Sequence, residues 1–426
     1  MKERKRLNCP IYVLFLISNV FSNLFFFLDE GDDKFTVKDF TCERISGKGD
    51  GFLSHIFKVI IPITNKGKET CLSLIIKLSV SSSFHRKMNE ELFLFEKEVE
   101  FYTKIVPAMI KYQTQDGPKV LPPVPKCYYG EFDGSNGVLV LENLYDAGYE
   151  RIEITDGIDF PEALETMKSF AIFHALGYNL NKEVAENMAT KFPAIFKKNF
   201  TSVTGFYEKC VDKILEILNA IPGQEEKRVD VSKACGKVLK LCQFSWQLNT
   251  PMLTLCNGDP WIGNVLFRYS RNSSGEKKLH KAILLDFQLN YYAASMNDVS
   301  EIIASSCKSE VQKNKISELL NMYLKTLLET LKKLNISLDY NYEQLFSDYK
   351  KCYFQGFIKT MSMIVMFGLV TKEQIAEFMG NMKETEEERD KKYKELSNGF
   401  TIKNKELENR LLQVISDAIK FDIFPE

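Results

Sequence analysis

The stretch Leu255-Cys-Asn-Gly-Asp-Pro-Trp-Ile-Gly-Asn-Val-Leu-Phe267 decides how this sequence is interpreted. It places a carboxylate, Asp259, five residues before a carboxamide, Asn264. A carboxylate in a loop can accept the proton of an attacking hydroxyl, and an amide oxygen can ligate a magnesium ion. We therefore interpret the stretch as a catalytic loop, while noting that a single Asp often serves only as a turn or cap residue.

A second acidic motif follows at a characteristic distance. Nineteen residues after Phe267, a hydrophobic strand pattern ends in Leu284-Leu-Asp-Phe-Gln288. Asp286, at the end of this pattern, is well placed to hold a metal ion that bridges nucleotide phosphates. An isolated Asp-Phe-Gln is a weak signal, but the two motifs in this order predict phosphoryl transfer.

A lysine in the N-terminal half offers a partner for these acids. Lys77 interrupts the apolar pattern Leu74-Ile-Ile-Lys-Leu78, and burying it without a counter-charge is costly. Glu98, on a predicted helix, can supply that charge. A strand lysine fixed by a helix glutamate positions nucleotide phosphates in kinases. The alternative is a lysine on the solvent face of an edge strand.

Two further segments are candidates for nucleotide contacts. The turn Gly47-Lys-Gly49-Asp-Gly51-Phe-Leu-Ser54 could cover phosphates with its backbone amides, although glycine turns also connect ordinary hairpins. The strand pattern Val138–Leu144 could offer an adenine base the backbone groups of Glu142, Asn143 and Leu144. Its leucines could equally be simple core residues.

The distribution of patterns predicts an α+β protein with two lobes. We expect residues 35–143 to form a small lobe of about five antiparallel strands with one helix, and residues 144–426 a larger, mainly helical lobe that carries the catalytic loop. Strand patterns cover Leu53–Pro62, Thr70–Val80, Lys126–Phe132 and Gly137–Glu142, and helical patterns cover Phe84–Ile110, Phe160–Leu180, Glu208–Ile221, Val229–Trp246, Glu310–Asn335, Tyr342–Phe367 and the charged segment Glu384–Lys392.

Residues 1–34 form a separate apolar N-terminal segment. Basic residues precede an apolar run from Ile11 to Leu28, which is typical of a signal peptide or membrane anchor. Polar residues interrupt the run, however, which favours a docking helix or an aberrant translation start. We therefore expect a cytoplasmic protein whose membrane contact is confined to residues 11–28, with a signal or anchor as the alternative.

Composition excludes several classes of function. The 426 residues contain 56 Lys plus Arg and 57 Asp plus Glu, so the net charge of −1 gives no overall attraction to nucleic acid. The ten cysteines form no CxxC pair and the four histidines no HxxxH or HExxH pattern, which excludes a zinc ribbon, a thioredoxin motif and a histidine-rich metal site. We expect neither a nucleic acid nor an obligatory protein partner.

Together the motifs resemble the choline/aminoglycoside-kinase-like small-molecule kinases, and most of all their insect ecdysteroid-kinase-like branch. The resemblance covers roughly Phe35 to the C-terminus and includes Phe95-x-x-Glu-x-x-Phe-Tyr102 and Phe173-His-Ala175. It implies a two-lobed protein-kinase-like fold that uses ATP and Mg²⁺ to phosphorylate a small-molecule alcohol, ecdysteroid-like or otherwise lipophilic.

The resemblance also implies residue roles. Asp259 would be the catalytic base, Asn264 and Asp286 would hold magnesium, and Lys77 with Glu98 would position the phosphates. Phe173-His-Ala175 would be a packing element.

Three departures leave a second interpretation open. Asn257 stands where the family usually has histidine, Pro260 follows the base, and the apolar N-terminus is unusual for such enzymes. Asparagine can still hydrogen-bond, so we expect weakened support of the loop. The alternative function is a divergent pseudokinase that binds a nucleotide or small molecule without turnover.

Overall fold

A computed structural model describes most of the chain outside its N-terminal segment. The described residues are 36–37, 40–45, 54–65, 68–79, 91–114, 116–184, 187–197, 201–271, 277–368, 402 and 404–424. The apolar N-terminal segment, Gly47, Gly49 and Gly51, and the charged segment Glu384–Lys392 lie outside them. The predictions for these segments, and for the domain boundaries at residues 34 and 143, stay predictions.

The small lobe is built on a six-stranded antiparallel sheet. Its strands follow the order β1-β3-β4-β6-β5, and β2 also pairs with β3. The long β3–β4 hairpin is in continuous register from Ser54 opposite Ser79 to Asn65 opposite Lys68. The strands are β1 (Thr36–Val37), β2 (Thr41–Arg44), β3 (Ser54–Asn65), β4 (Lys68–Ser79), β5 (Cys127–Phe132) and β6 (Gly137–Glu142).

One helical segment packs against this sheet. It runs through α1 (Leu94–Glu100), a π-helical turn (Phe101–Ile105) and α2 (Val106–Lys111). A side chain at Gly137 would come within 2.1 Å of the Phe95 ring, so glycine allows α1 to approach the β5–β6 hairpin closely. The single helix predicted over Phe84–Ile110 is therefore continuous only from Leu94 onward and contains a π turn. Phe93, just before it, has a φ of +57° and interrupts the helical pattern, and residues 84–90 lie outside the described part.

The large lobe is mainly helical and contains two small sheets. β7, β9 and β10 form one sheet, and β8 pairs with β11 in the other. Its strands are β7 (Tyr149–Glu150), β8 (Leu253–Cys256), β9 (Val265–Arg271), β10 (Lys277–Leu284) and β11 (Tyr291–Ala294). Its helices are α3 (Phe160–Val184), α4 (Met188–Lys191), α5 (Thr201–Ala220), α6 (Glu225–Ser232), α7 (Val238–Trp246), α8 (Met296–Ser306), α9 (Ser309–Lys333), α10 (Tyr342–Met363, continued by a π turn to Gly368) and α11 (Lys405–Lys420).

The helix predicted over Val229–Trp246 is wrong in its continuity. The structure has two helices, α6 and α7, and the helical conformation is interrupted between them, where Gly236 has a φ of +66°. The Glu208 carboxylate accepts hydrogen bonds from the backbone amides of Gly236 (2.8 Å) and Val238 (3.0 Å). Glu208 thereby satisfies amide groups at the start of α7 that a continuous helix would have bonded internally.

The core of the large lobe surrounds α8, which is buried at every position from Met296 to Ser306. Its neighbours α3 and α10 are also largely buried. The predicted α+β architecture, with a small antiparallel lobe that carries one helical segment and a larger, mainly helical lobe, is confirmed. Among the described helices, none combines the length and the apolar character needed to cross a lipid bilayer.

Candidate active site

The predicted catalytic loop connects β8 to β9 and ends in a short 3₁₀ turn, Ile262–Asn264. Gly258 lies at its tightest point, with a φ of +82°. A Cβ atom there would lie 2.2 Å from the carbonyl oxygen of Leu289. The loop therefore requires glycine immediately before Asp259, because both the backbone conformation and the available space exclude a side chain.

Asn257 braces this loop against the segment that carries Asp286. Its Nδ2 donates hydrogen bonds to the carbonyl oxygens of Leu285 (3.1 Å) and Asp286 (3.2 Å). Its Oδ1 accepts one from the backbone amide of Asp259 (3.1 Å). The asparagine side chain thus connects the two acidic motifs directly.

A buried carboxylate on α8, that of Asp298, is hydrogen-bonded to the backbone of the same loop. Asp298 accepts hydrogen bonds from the backbone amides of Asn257 (2.5 Å) and Gly258 (3.1 Å). It also lies 3.2 Å from Nε2 of His174, whose Nδ1 lies 2.8 Å from the Tyr323 hydroxyl. Asp298 therefore links the loop to α3 and α9 through His174.

His174, Asp298 and Cys256 have possible ligand atoms within 4.8 Å of one another. With Asp298 accepting from Nε2–H, the lone pair of His174 Nδ1 accepts from Tyr323, so the imidazole has no lone pair left for a metal ion. We interpret this cluster as a packing element, in agreement with the role expected for Phe173-His-Ala175.

Asp259 is engaged at both carboxylate oxygens. Oδ2 accepts hydrogen bonds from Trp261 Nε1 (3.2 Å) and Asn264 Nδ2 (3.0 Å). Oδ1 forms an ion pair with Lys359 of α10, whose ammonium also lies 3.5 Å from Glu301 Oε1 of α8. Burial raises the pKa of Asp259, and the positive charge of Lys359 opposes that rise.

Lys359 and Glu301 are not among the site residues predicted from the sequence. A signal for Lys359 was present, since it is a lone cation in the apolar run Phe357-Ile-Lys-Thr-Met361 of α10. This is the same kind of signal that identified Lys77 in its strand. Glu301 has no comparable signal, because an acid within a helix is usually solvated.

Lys77 connects the two lobes. Its ammonium lies 2.8 and 2.7 Å from the two carboxylate oxygens of Glu98 on α1, and 3.7 Å from Asp286 Oδ2. Burial raises the pKa of Glu98 to about 7, although Lys77 opposes the rise. For Lys77, burial lowers the pKa but is outweighed by Asp286 and Glu98, so the net pKa is raised and the lysine stays charged.

The residues after Asp286 fix its position. Phe287 stacks on Phe101, with ring centroids 3.7 Å apart and planes 7° apart. Asp286 itself adopts a φ of +55°, which is uncommon for a residue other than glycine. Such a conformation persists only when the surroundings enforce it, as the Phe287 stack and the Asn257 hydrogen bonds do here.

Family comparison finds a match over residues 48–336 to the ecdysteroid kinase-like family. The chain belongs to this family. The matched region contains all the described site residues named above except Lys359, which lies beyond it on α10.

One curated relative and three solved structures are similar to this ecdysteroid kinase-like protein. The relative, the uncharacterized oxidoreductase dhs-27 of Caenorhabditis elegans, is 21% identical over 325 residues, which cover 71% of this chain and 37% of that protein. The chain thus spans little more than a third of that relative.

The first structure is an ethanolamine kinase of Plasmodium vivax, which is 14% identical, with 91% of this chain and 92% of that chain covered and a TM-score of 0.41. The second is a choline/ethanolamine kinase family protein of Mesorhizobium loti, which is 13% identical, with coverages of 88% and 92% and a TM-score of 0.37. The third is the choline kinase LicA of Streptococcus pneumoniae, which is 12% identical, with coverages of 96% and 99% and a TM-score of 0.38.

The donor set of this family member fits a magnesium ion. Asp286 Oδ1 is buried and accepts no hydrogen bond from the described residues, so an acceptor oxygen remains available. Asn264 donates through its Nδ2 to Asp259, and its backbone oxygen accepts a hydrogen bond from the amide of Leu285 (2.8 Å). The Asn264 atom that would ligate the metal is therefore its side-chain oxygen, Oδ1. Carboxylate and amide oxygens are the ligands that Mg²⁺ prefers, so Asp286 and Asn264 would hold it.

The remaining predicted nucleotide contacts lie at the edge of the small lobe. Ser54 is buried at the start of β3. The amides of Glu142 and Asn143 donate to the carbonyl oxygens of Lys126 (2.9 Å) and Ser73 (3.3 Å). The Leu144 carbonyl oxygen accepts from the amides of Ala147 and Tyr149 (both 3.0 Å).

These three backbone groups are therefore engaged within the protein. The role of this segment, like the roles of the other predicted site residues, stays a prediction.

Proposed function

We propose that this protein transfers the γ-phosphoryl group of ATP to a hydroxyl group of a small molecule, an ecdysteroid-like or other lipophilic alcohol. One observation carries the proposal. Lys77 contacts both Glu98 and Asp286, while the hydrogen bonds of Asn257 tie the Asp286 segment to Asp259. Groups suited to phosphate binding and to proton acceptance thus meet at one place.

The residues divide the chemistry between them. Lys77, fixed by Glu98, would bind phosphate oxygens, and Asp286 with Asn264 would hold magnesium, which neutralises phosphate charge when bound. Asp259 would orient the acceptor hydroxyl and take its proton as the new phosphorus–oxygen bond forms and the bond to ADP breaks. Positioning supplies most of the rate enhancement in such reactions, which suits a loop braced as firmly as this one.

The surroundings of Asp259 favour a lipophilic acceptor. Trp261, which donates to Asp259, stacks on Phe367 with ring centroids 5.5 Å apart. Tyr207 of α5 is close enough to interact electrostatically with Asp259, Lys359 and Glu301. Partly exposed aromatic rings beside the base offer an apolar surface to the carbon skeleton of an alcohol.

A second candidate function is binding without turnover. The observation that favours it is the engagement of both Asp259 oxygens by Lys359, Trp261 and Asn264. An acceptor hydroxyl would have to share a carboxylate oxygen with one of these partners or displace it. A pseudokinase would not need to free the Asp259 carboxylate from these partners.

A screen of ATP consumption separates the two functions. The purified full chain is mixed with Mg-ATP and with ecdysteroids, choline, ethanolamine or other small alcohols, and ADP and phosphorylated product are quantified. The kinase proposal expects acceptor-dependent ADP formation that Asp259→Asn strongly reduces. Mg-ATP binding with no product from any acceptor would instead support the binding protein.

A further inference from the structure

Lys359 fills an acidic pocket beside the proposed base. Asp259 approaches its ammonium from the catalytic loop, and Glu301 approaches it from α8. The exposed fractions of the side chains are 13% for Lys359, 13% for Asp259 and 7% for Glu301. Within the described residues, one internal cation therefore pairs with two nearly buried acids from separate elements.

A pair of buried carboxylates next to the acceptor position would normally attract a cationic acceptor. Charges removed from water must be paired, and complementary charge decides which partner is accepted. Here the ammonium of Lys359 already holds the place that a substrate ammonium would take. A second cation would meet like-charge repulsion and carboxylates that already have a partner.

We propose that Lys359 is a specificity-determining residue, an internal cation that excludes acceptors carrying an ammonium group and reserves the site for uncharged alcohols. The inference rests on the proposed function in one respect, that Asp259 marks the position of the acceptor hydroxyl. Rejection of the wrong partner by a built-in charge is a general route to specificity. Glu301 acts here as a positioning residue that holds Lys359 in the pocket.

The test removes the internal cation and offers an external one. Lys359→Ala leaves Asp259 and Glu301 without their ammonium and opens space of about its size. Ethylammonium chloride is the probe, titrated by calorimetry in the full chain against sodium chloride at equal ionic strength. We expect ethylammonium to bind Lys359→Ala at least about tenfold more tightly than wild type, and sodium chloride not to reproduce the effect.

Two further variants make the result specific. Lys351→Ala removes an exposed lysine from the same helix and should bind ethylammonium no better than wild type. Lys359→Ala with Glu301→Gln should lose most of the gained affinity, since one of the two carboxylates is gone. If Lys359→Ala does not fold, Lys359→Gln, which can still donate to both carboxylates, takes its place and should show a smaller gain.

The outcomes separate this inference from the proposed function. Binding does not require turnover, so a catalytically silent protein that gains ethylammonium affinity on loss of Lys359 supports the inference while the kinase proposal fails. Equal affinity in wild type and the folded Lys359 variants overturns it. So does wild-type phosphorylation of choline or ethanolamine as efficient as that of a neutral alcohol, a result that would uphold the kinase activity.

Discussion

Lys77 and Lys359 lie in different lobes, yet each is a largely buried lysine that contacts two carboxylates. The two clusters differ in whether a carboxylate oxygen remains without a hydrogen bond. Asp286, a partner of Lys77, is 26% exposed and has an oxygen without a hydrogen bond, whereas Asp259 has both oxygens engaged. The first cluster can therefore accept another cation, while the second already contains its own.

This difference suggests that the two clusters act on different substrates. The Lys77 cluster would bind the nucleotide and its metal ion, and the Lys359 cluster would select and orient the acceptor. Variants in one cluster should then alter ATP parameters and variants in the other acceptor parameters. Four substitutions test the distinction.

The largest effect is expected for Asp286→Ala. It removes the free oxygen and the carboxylate that lies 3.7 Å from Lys77, so both Mg-ATP binding and turnover should be lost. Calorimetric titration with Mg-ATP and steady-state ADP formation measure the two effects. Asp339→Ala, at an exposed position, is the matched control and should behave as wild type. Unchanged Mg-ATP affinity in Asp286→Ala would remove the nucleotide role from this cluster.

Asp259→Asn should have the next largest effect. We expect turnover to fall by about 10²–10⁴-fold, the usual contribution of a general base, with Mg-ATP affinity largely retained. The same two measurements apply, and the comparison with Asp286→Ala shows whether the clusters are separable. Full activity in Asp259→Asn would mean that another group accepts the proton.

Lys77→Met should weaken ATP binding while leaving acceptor binding intact. Loss of a charge-assisted contact to phosphate costs about 1.5–3 kcal/mol, which corresponds to roughly 10–100-fold in affinity. Calorimetry with ATP measures this effect, and Lys325→Met, an exposed lysine on α9, is the control. The division between the clusters is contradicted if Lys359→Met weakens ATP binding as much as Lys77→Met does.

Asn257→His should have the smallest effect. Asn257 already connects the loop to Leu285 and Asp286, so restoring the histidine typical of the family should leave turnover equal to wild type or modestly higher. Steady-state kinetics with the acceptor found in the screen measures it, and thermal unfolding controls for folding. A large loss of turnover would show that this loop depends on the shorter amide side chain.

Local sequence signals account for part of the fold and part of the site. The β3–β4 hairpin and α10 follow from alternation and helical periodicity, which are local signals. Lys77 followed from a lone cation in an apolar strand, together with a helix glutamate 21 residues later. Lys359 shows the same kind of cation on a helix, but its partner Asp259 is 100 residues away, and no local pattern encodes that pairing.

Other features depend on tertiary contacts in the same way. The hydrogen bonds of Asn257 form because β9 and β10 lie side by side, with Leu284 opposite Val265, which places Leu285 next to the loop. The sequence shows that Asn257 can hydrogen-bond but not which carbonyl groups the fold brings to it, and the weakened support expected of it stays a prediction. Gly236, by contrast, was a local break signal between α6 and α7 that the predicted continuous helix ignored.

The hydrogen bonds to the Asp298 carboxylate affect how often the loop at Asn257 and Gly258 opens. The amides of Asn257 and Gly258 point at a fully buried acceptor on a helix that is itself buried at every position. Amide protons held in this way exchange with water only when the surrounding helices open together, an event far rarer than loop motion. The loop therefore keeps its conformation through many encounters with ligand. Its conformational entropy is lost when the chain folds, so binding a ligand does not have to order it.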